Sequence, residues 1–187
     1  MPRTAPTAKE DILRAARRCF GVAGFRGTSI REIAAEYGGS KAAVLYHFES
    51  KDAILEALLA DHWREIETLA EEVRRLPTAD AQSRAIDGLA RAAVRFRDDL
   101  AILHGDITEI IRLERFANAG AAFDEIAHAL VGRSADLPSR IASHLMLGGV
   151  ASVCHEYRTA PDDDLRAGIL LVVRTGEQLD RGTPTLR

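Results

Sequence analysis

Apolar residues recur along this chain at steps of three and four, and no stretch shows the strict alternation of a half-buried strand. The first stripe is Ile12, Ala15, Ala16, Cys19, Phe20 and Ala23. It predicts a helix from about Lys9 to Ala23, with Gly24 as its C-terminal cap and Phe25 turned into the core. Thr28 or Ser29 opens a short second helix with Ile30, Ile33 and Ala34 facing inward. Gly38 and Gly39 supply the positive φ values of a sharp turn. Ser40 then caps a third helix, Lys41 to about Phe48, and Ser50 caps a fourth. The fourth is long, its inward series Leu55, Leu59, His62, Ile66, Leu69, Val73 and Leu76, and it spans ~39 Å at 1.5 Å per residue before Pro77 stops it. Further helices are predicted at roughly 79–97, 99–104, 107–131 (continuous or broken near Asn118 to Gly120), 138–158 and 162–180. Residues 1–8 and the tail DRGTPTLR read as flexible. The pattern predicts an all-α protein. An N-terminal three-helix unit containing a helix-turn-helix covers residues 1–50, and a second, helical domain covers residues 51–187.

Charge sharpens this division. The chain carries a net charge of −3, but residues 1–51 hold nine Lys or Arg against five acids, a net +4, which leaves −7 for the remainder. A basic head on an acidic body suits a DNA-binding unit joined to one that does not touch DNA. Cys19 and Cys154 lie far apart in apolar helical patterns, so two buried free thiols are expected rather than a disulfide. MPRTAPTAKED has no apolar core of a signal peptide, and no apolar run approaches ~20 residues. The expectation is a cytoplasmic protein with no membrane partner. No GxSxG elbow, phosphate-cradling glycine loop or HExxH occurs, which argues against an enzyme, and the histidine spacings match no metal signature. Neither a metal nor a cofactor is expected.

The segment ILRAARRCFGVAGFRGTSIREIAAEYGGS, followed by YHF and ESKDAIL, resembles the TetR (tetracycline-repressor-like) family of one-component transcriptional regulators, most strongly over about residues 9–59. The resemblance implies a homodimer, a palindromic operator, a C-terminal ligand pocket and, usually, repression released by ligand. The chain departs from the family pattern at Gly39, where a small aliphatic residue is usual, and at Leu45, where an aromatic residue often meets phosphate.

The candidate contacts to double-stranded DNA follow from the chemistry of this head. Three helix starts, at Thr28–Ser29, Ser40 and Ser50–Lys51, offer free N–H groups to phosphate. Lys41 can reach phosphate or a guanine edge, and Ala42 and Ala43 permit close approach to a thymine methyl. Tyr46 and His47 lie one turn on and can donate to phosphate, as can Arg31 and Lys51. The reading helix holds no arginine, so DNA shape is expected to contribute to specificity. For dimerisation the candidates are Ile141, Leu145, Gly148, Gly149 and Ser152 together with Leu165, Ile169, Val172, Val173 and Gly176, whose stripes either form a four-helix bundle with a second copy or complete the monomer core. The body mixes apolar groups with isolated polar ones, at His62, Trp63, Phe96, His104, Phe116, Phe123, His128, Met146, Cys154 and His155, and such a mixture suits a cavity for a small apolar or amphipathic effector. The alternative is a helical adaptor without ligand or operator, which leaves the +4 head unexplained.

Overall fold

The computed structural model describes residues 7–103, 110 and 117–180, and these form nine helices and no strand. The first, α1 (Ala8–Gly27), begins in a capping box: the Thr7 hydroxyl accepts from the Glu10 N–H, and the Glu10 carboxylate accepts from the Thr7 N–H. The expected flexible arm therefore gives way to ordered chain at Thr7. Gly24 does not end the helix as expected. It kinks it, at φ 73° and ψ 169°, and one further turn follows. The kink brings Phe25 edge-on to Phe20, with ring centroids 5.4 Å apart.

Helix α2 (Ile30–Tyr37) opens on a second capping box, Ser29 with Glu32. It ends in a Schellman motif: the Gly39 N–H donates to Ala34 and the Gly38 N–H to Ala35, with Gly38 left-handed at φ 80°. Gly39 has no positive φ, contrary to expectation. What holds that position to glycine is space, since a Cβ there would lie 2.7 Å from the Tyr37 ring. Gly38→Ala is expected to cost about 1 kcal/mol through the left-handed backbone alone, read as a lower urea midpoint at unchanged m-value.

Helix α3 (Lys41–His47) follows the turn, capped by Ser40, and α4 (Lys51–Arg75) is capped by Ser50. The body adds α5 (Thr78–Arg95), α6 (Arg97–Leu103), α7 (Ala117–Leu130), α8 (Leu137–Glu156) and α9 (Asp162–Asp180). Of the helix expected at 107–131, residues 107–109 and 111–116 lie outside the described residues. Two arginines tie the body's turns. Arg133 donates to the carbonyls of Val73 and Leu76 and so closes the end of α4. Arg97 donates to the carbonyls of Arg158 and Ala160 and pairs with Asp162, clamping the α8–α9 turn.

One contiguous hydrophobic cluster runs from Ile12 in α1 to Val173 in α9. Helix α4 is its spine, packed against α1 at one end and α5 and α7 further along. Cys154 is buried and Cys19 half-buried, both as free thiols. The expectation for α9 needs correction. Leu165, Ile169 and Val173 are buried in the chain's own core, where α9 lies against α5. Left outside are Leu137, Ile141 and Leu145 of α8 and Leu171 and Val172 of α9. Gly148, Gly149 and Ser152 are exposed on α8 as well, whereas Gly176 lies in α9 beyond the residues whose side chains are described.

Candidate functional site

Two features stand out, an exposed short helix in the head and a cavity in the body. Helix α3 is anchored by Val44, fully buried, and by Phe48 at its C-terminal cap. Its other face carries Lys41, Ala42, Leu45 and Tyr46 outward, Tyr46 being 86% exposed, with Ala43 and His47 half-buried beside them. The Tyr46 and His47 rings meet edge-on at 5.1 Å, which orients both without burying either.

The head's positive charge is less evenly available than the sequence suggests. Arg14 pairs with Asp11, Arg17 with Asp99 and Arg18 with Glu36. Lys9 lies over the Phe48 ring at 5.2 Å. Arg31 and Lys41 are exposed and form no ion pair among the described residues, so they hold the outward cationic charge nearest α3. At the start of α2 the exposed Ser29 is engaged with Glu32, whose carboxyl is held below the usual range, first by the Ser29 hydroxyl and then by its N–H. Ser40 and Ser50 act as N-caps, accepting from the N–H groups of Ala43 and Ala53.

Two expected DNA contacts are turned inward. Thr28 is buried, and its hydroxyl donates to the Gly24 carbonyl at 2.8 Å, closing the kink. The Lys51 ammonium donates to the carbonyls of Phe25 (2.6 Å) and Thr28 (2.8 Å) and sits 4.4 Å over the Phe25 ring. It staples the α1–α2 loop to the start of α4. Lys51→Met is therefore expected to destabilise the chain by roughly 3 kcal/mol, the low end for two hydrogen bonds from a half-exposed charged donor at ~1.5–3 kcal/mol each, and denaturant unfolding measures it.

The cavity encloses about 380 Å³ between α4, α5, α6, α7 and α8. His62 and Ile66 line it from α4, Leu89, Ala92 and Ala93 from α5, Leu100 from α6, Phe123 and Asp124 from α7, and His144, Leu147 and Gly148 from α8. Of the expected ligand residues, His62 and Phe123 line it directly. Trp63 and Phe96 stand behind His62 as edge-on rings at 5.0 and 5.1 Å, and Trp63 meets Phe123 at 5.7 Å. Met146 packs half-buried against the core, and the Cys154 thiol lies 3.6 Å from the Ala93 carbonyl. His155 is half-buried and does not line the cavity. His128 is exposed, with Nε2 2.9 Å from the Arg133 carbonyl, well away from a lining role. His104 and Phe116 lie outside the described residues. His144, Asp124 and Gly148 were not foreseen as lining residues, because each falls on a polar or small-residue position that an exposed helical face would equally produce. His62 is enclosed, neither ring nitrogen has a hydrogen-bond partner among the described residues, and burial lowers its pKa to about 4.

A path of contacts joins cavity and head. Leu100 lines the cavity, and its neighbour Asp99 is buried and pairs with Arg17 of α1. Burial pushes the Asp99 carboxyl above its ordinary value, while Arg17 pulls it down. Among the described residues no three His, Cys, Asp or Glu side chains gather as a metal site, and no helix is long and apolar enough to cross a membrane.

A short helix held outward after a Schellman turn gives the head the geometry of a helix-turn-helix, set on a helical body with a cavity. The sequence profile of the bacterial regulatory proteins, tetR family, matches residues 12–58, which run from α1 into the first part of α4. It is 35% identical over 65 residues to the HTH-type transcriptional repressor AcnR of Corynebacterium efficiens, a match covering 34% of this chain and 35% of that one. It is 49% identical over 47 residues to an uncharacterized HTH-type transcriptional regulator, YerO of Bacillus subtilis, covering 25% and 16%. The matched segments thus span about a third or less of these curated relatives. The crystal structure of Mycobacterium smegmatis AmtR is similar over 91% of this chain and 88% of that one, with a TM-score of 0.62 and 28% identity.

Proposed function

We propose that the protein is a DNA-binding transcriptional repressor that grips a palindromic operator as a homodimer and is released by a small apolar or amphipathic molecule. The observation that carries this reading is α3, a rod anchored by Val44 and Phe48 with Lys41, Ala42 and Tyr46 turned outward. Such a helix fits the major groove, with Lys41 and Arg31 supplying charge and Tyr46 a hydroxyl for phosphate. One head covers few base pairs, so a second copy is needed one helical turn away, ~34 Å along the duplex. The exposed apolar residues of α8 and α9 are the surface that would join the copies, as two helical hairpins meeting across a two-fold axis. An effector in the cavity would act on the head through α4, which runs from the cavity wall to the head, and through α6, whose Asp99 grips α1. The effector and the operator would then compete through one conformational equilibrium.

Gel shifts of the full chain on a palindromic upstream fragment, run over a series of salt concentrations, test the reading. Specific binding at least ~10³-fold tighter than to random duplex is expected. Lys41→Ala is expected to reduce the salt slope by about 1, as loss of one phosphate contact should, whereas Lys51→Met leaves the slope unchanged. Equal affinity for every duplex would remove the repressor reading.

A further inference from the structure

His62 is the one fully enclosed ring on the cavity wall whose two nitrogens both lack a hydrogen-bond partner among the described residues. An unmet buried donor or acceptor is costly, so the folded chain holds a standing demand for a partner at one fixed point. Trp63 and Phe96 approach the ring edge-on at 5.0 and 5.1 Å; they hold its plane but do not satisfy its nitrogens. Burial keeps the imidazole uncharged near neutral pH, so it offers one N–H donor and one bare nitrogen acceptor. A hydroxyl complements either. Around it the wall is apolar, with Ile66, Leu89, Leu100 and Phe123. The other titratable groups facing the cavity are Asp124 from α7 and His144 from α8, both exposed, while the α5 and α6 residues that line it are all apolar. No Lys or Arg lines the cavity among the described residues, so a carboxylate ligand would give up its hydration with neither to meet it. An ammonium would surrender its hydration to an apolar wall, because Asp124 lies in solvent at the rim.

We propose that the cavity takes an uncharged amphiphile, an apolar body bearing a hydroxyl that hydrogen-bonds to the His62 imidazole. The proposal rests on reading the cavity as the effector site. Trp63, the single tryptophan of the chain, touches both His62 and Phe123 and reports on occupancy. The full chain is titrated at pH 7.5 with decan-1-ol, decanoate and decylammonium while Trp63 emission is followed. Decan-1-ol is expected to saturate with a Kd at least about tenfold below that of either ion. His62→Leu is expected to weaken decan-1-ol binding by about tenfold, the loss of one neutral hydrogen bond. His62→Asn, which keeps an uncharged donor and acceptor, is expected to retain more of that affinity and serves if the leucine variant fails to fold. Tighter binding of decanoate or decylammonium, or wild-type affinity for decan-1-ol in both variants, overturns the assignment of ligand class while leaving the cavity an effector site. No response of Trp63 to any of the three at their solubility limits overturns the effector reading too.

Discussion

Leu145→Asp is expected to turn the proposed dimer into a monomer and to lower affinity for the proposed operator by about 10³-fold, since two linked heads gain 10²–10⁴ over one without any new contact. Leu145 is 70% exposed in the isolated chain, Ile141 on the same helix is exposed as well, and so are Leu171 and Val172 of α9. Exposed apolar side chains of this kind mark an interaction patch. A carboxylate at its centre would be buried unpaired in a bundle of two hairpins, a cost of several kcal/mol. In the monomer the same carboxylate stays in water, so the fold should be unaffected. Light scattering at micromolar concentration and a gel shift on one operator measure the two effects together, and the thermal midpoint of the monomer provides the control. A variant that stays dimeric would put the interface elsewhere, and a monomer that binds as tightly as wild type would remove the need for two heads.

The second large effect concerns His62 and acid. Its folded pKa is about 4, against about 6.5 for an unrestrained histidine. As pH falls, the unfolded chain takes up this proton first, so stability is complete above about pH 6.5 and declines until about pH 4. The shift corresponds to a loss of about 3 kcal/mol across that window. His62→Leu should lack this component and so be flatter with pH than wild type. Asp99 works in the opposite direction, because its raised pKa makes the folded chain the better proton acceptor just above the ordinary carboxylate range. The informative quantity is therefore the difference between variant and wild type in urea unfolding at pH 7 and pH 4.5. Parallel pH profiles would show that His62 is hydrated and titrates normally.

The head was readable from the sequence because its determinants are local. Ser29 with Glu32, Ser40, Ser50 and Gly38 each act on atoms within four residues, and spacing alone exposes such pairs. Helix boundaries set by the same logic held in the body: Pro161 precedes α9, which spans 162–180 as expected. What escaped depended on neighbours distant in sequence. Nothing near Lys51 announces that its ammonium will reach back to the carbonyls of Phe25 and Thr28. Gly24 reads as a stop signal, yet the buried Thr28 hydroxyl and Phe25 ring make a kink the better solution. In α9 two apolar stripes alternate, and periodicity cannot tell which faces α5: Leu165, Ile169 and Val173 went in, while Leu171 and Val172 stayed out. The cavity is harder still, since His62 and His144 come from helices 82 positions apart and only the packed body brings them to one wall.

The spine helix has a consequence for recombination. Ile54, Leu55 and Leu59 at the start of α4 are fully buried, in the same cluster as Ile12 and Phe20, and the family profile likewise runs on to residue 58. A fragment cut after residue 50 would lose the lid of its own core and should not fold. Chimaeras that graft this head onto a foreign sensor should be spliced beyond residue 59, one turn or more into the helix, where the seam carries the whole lid with the graft.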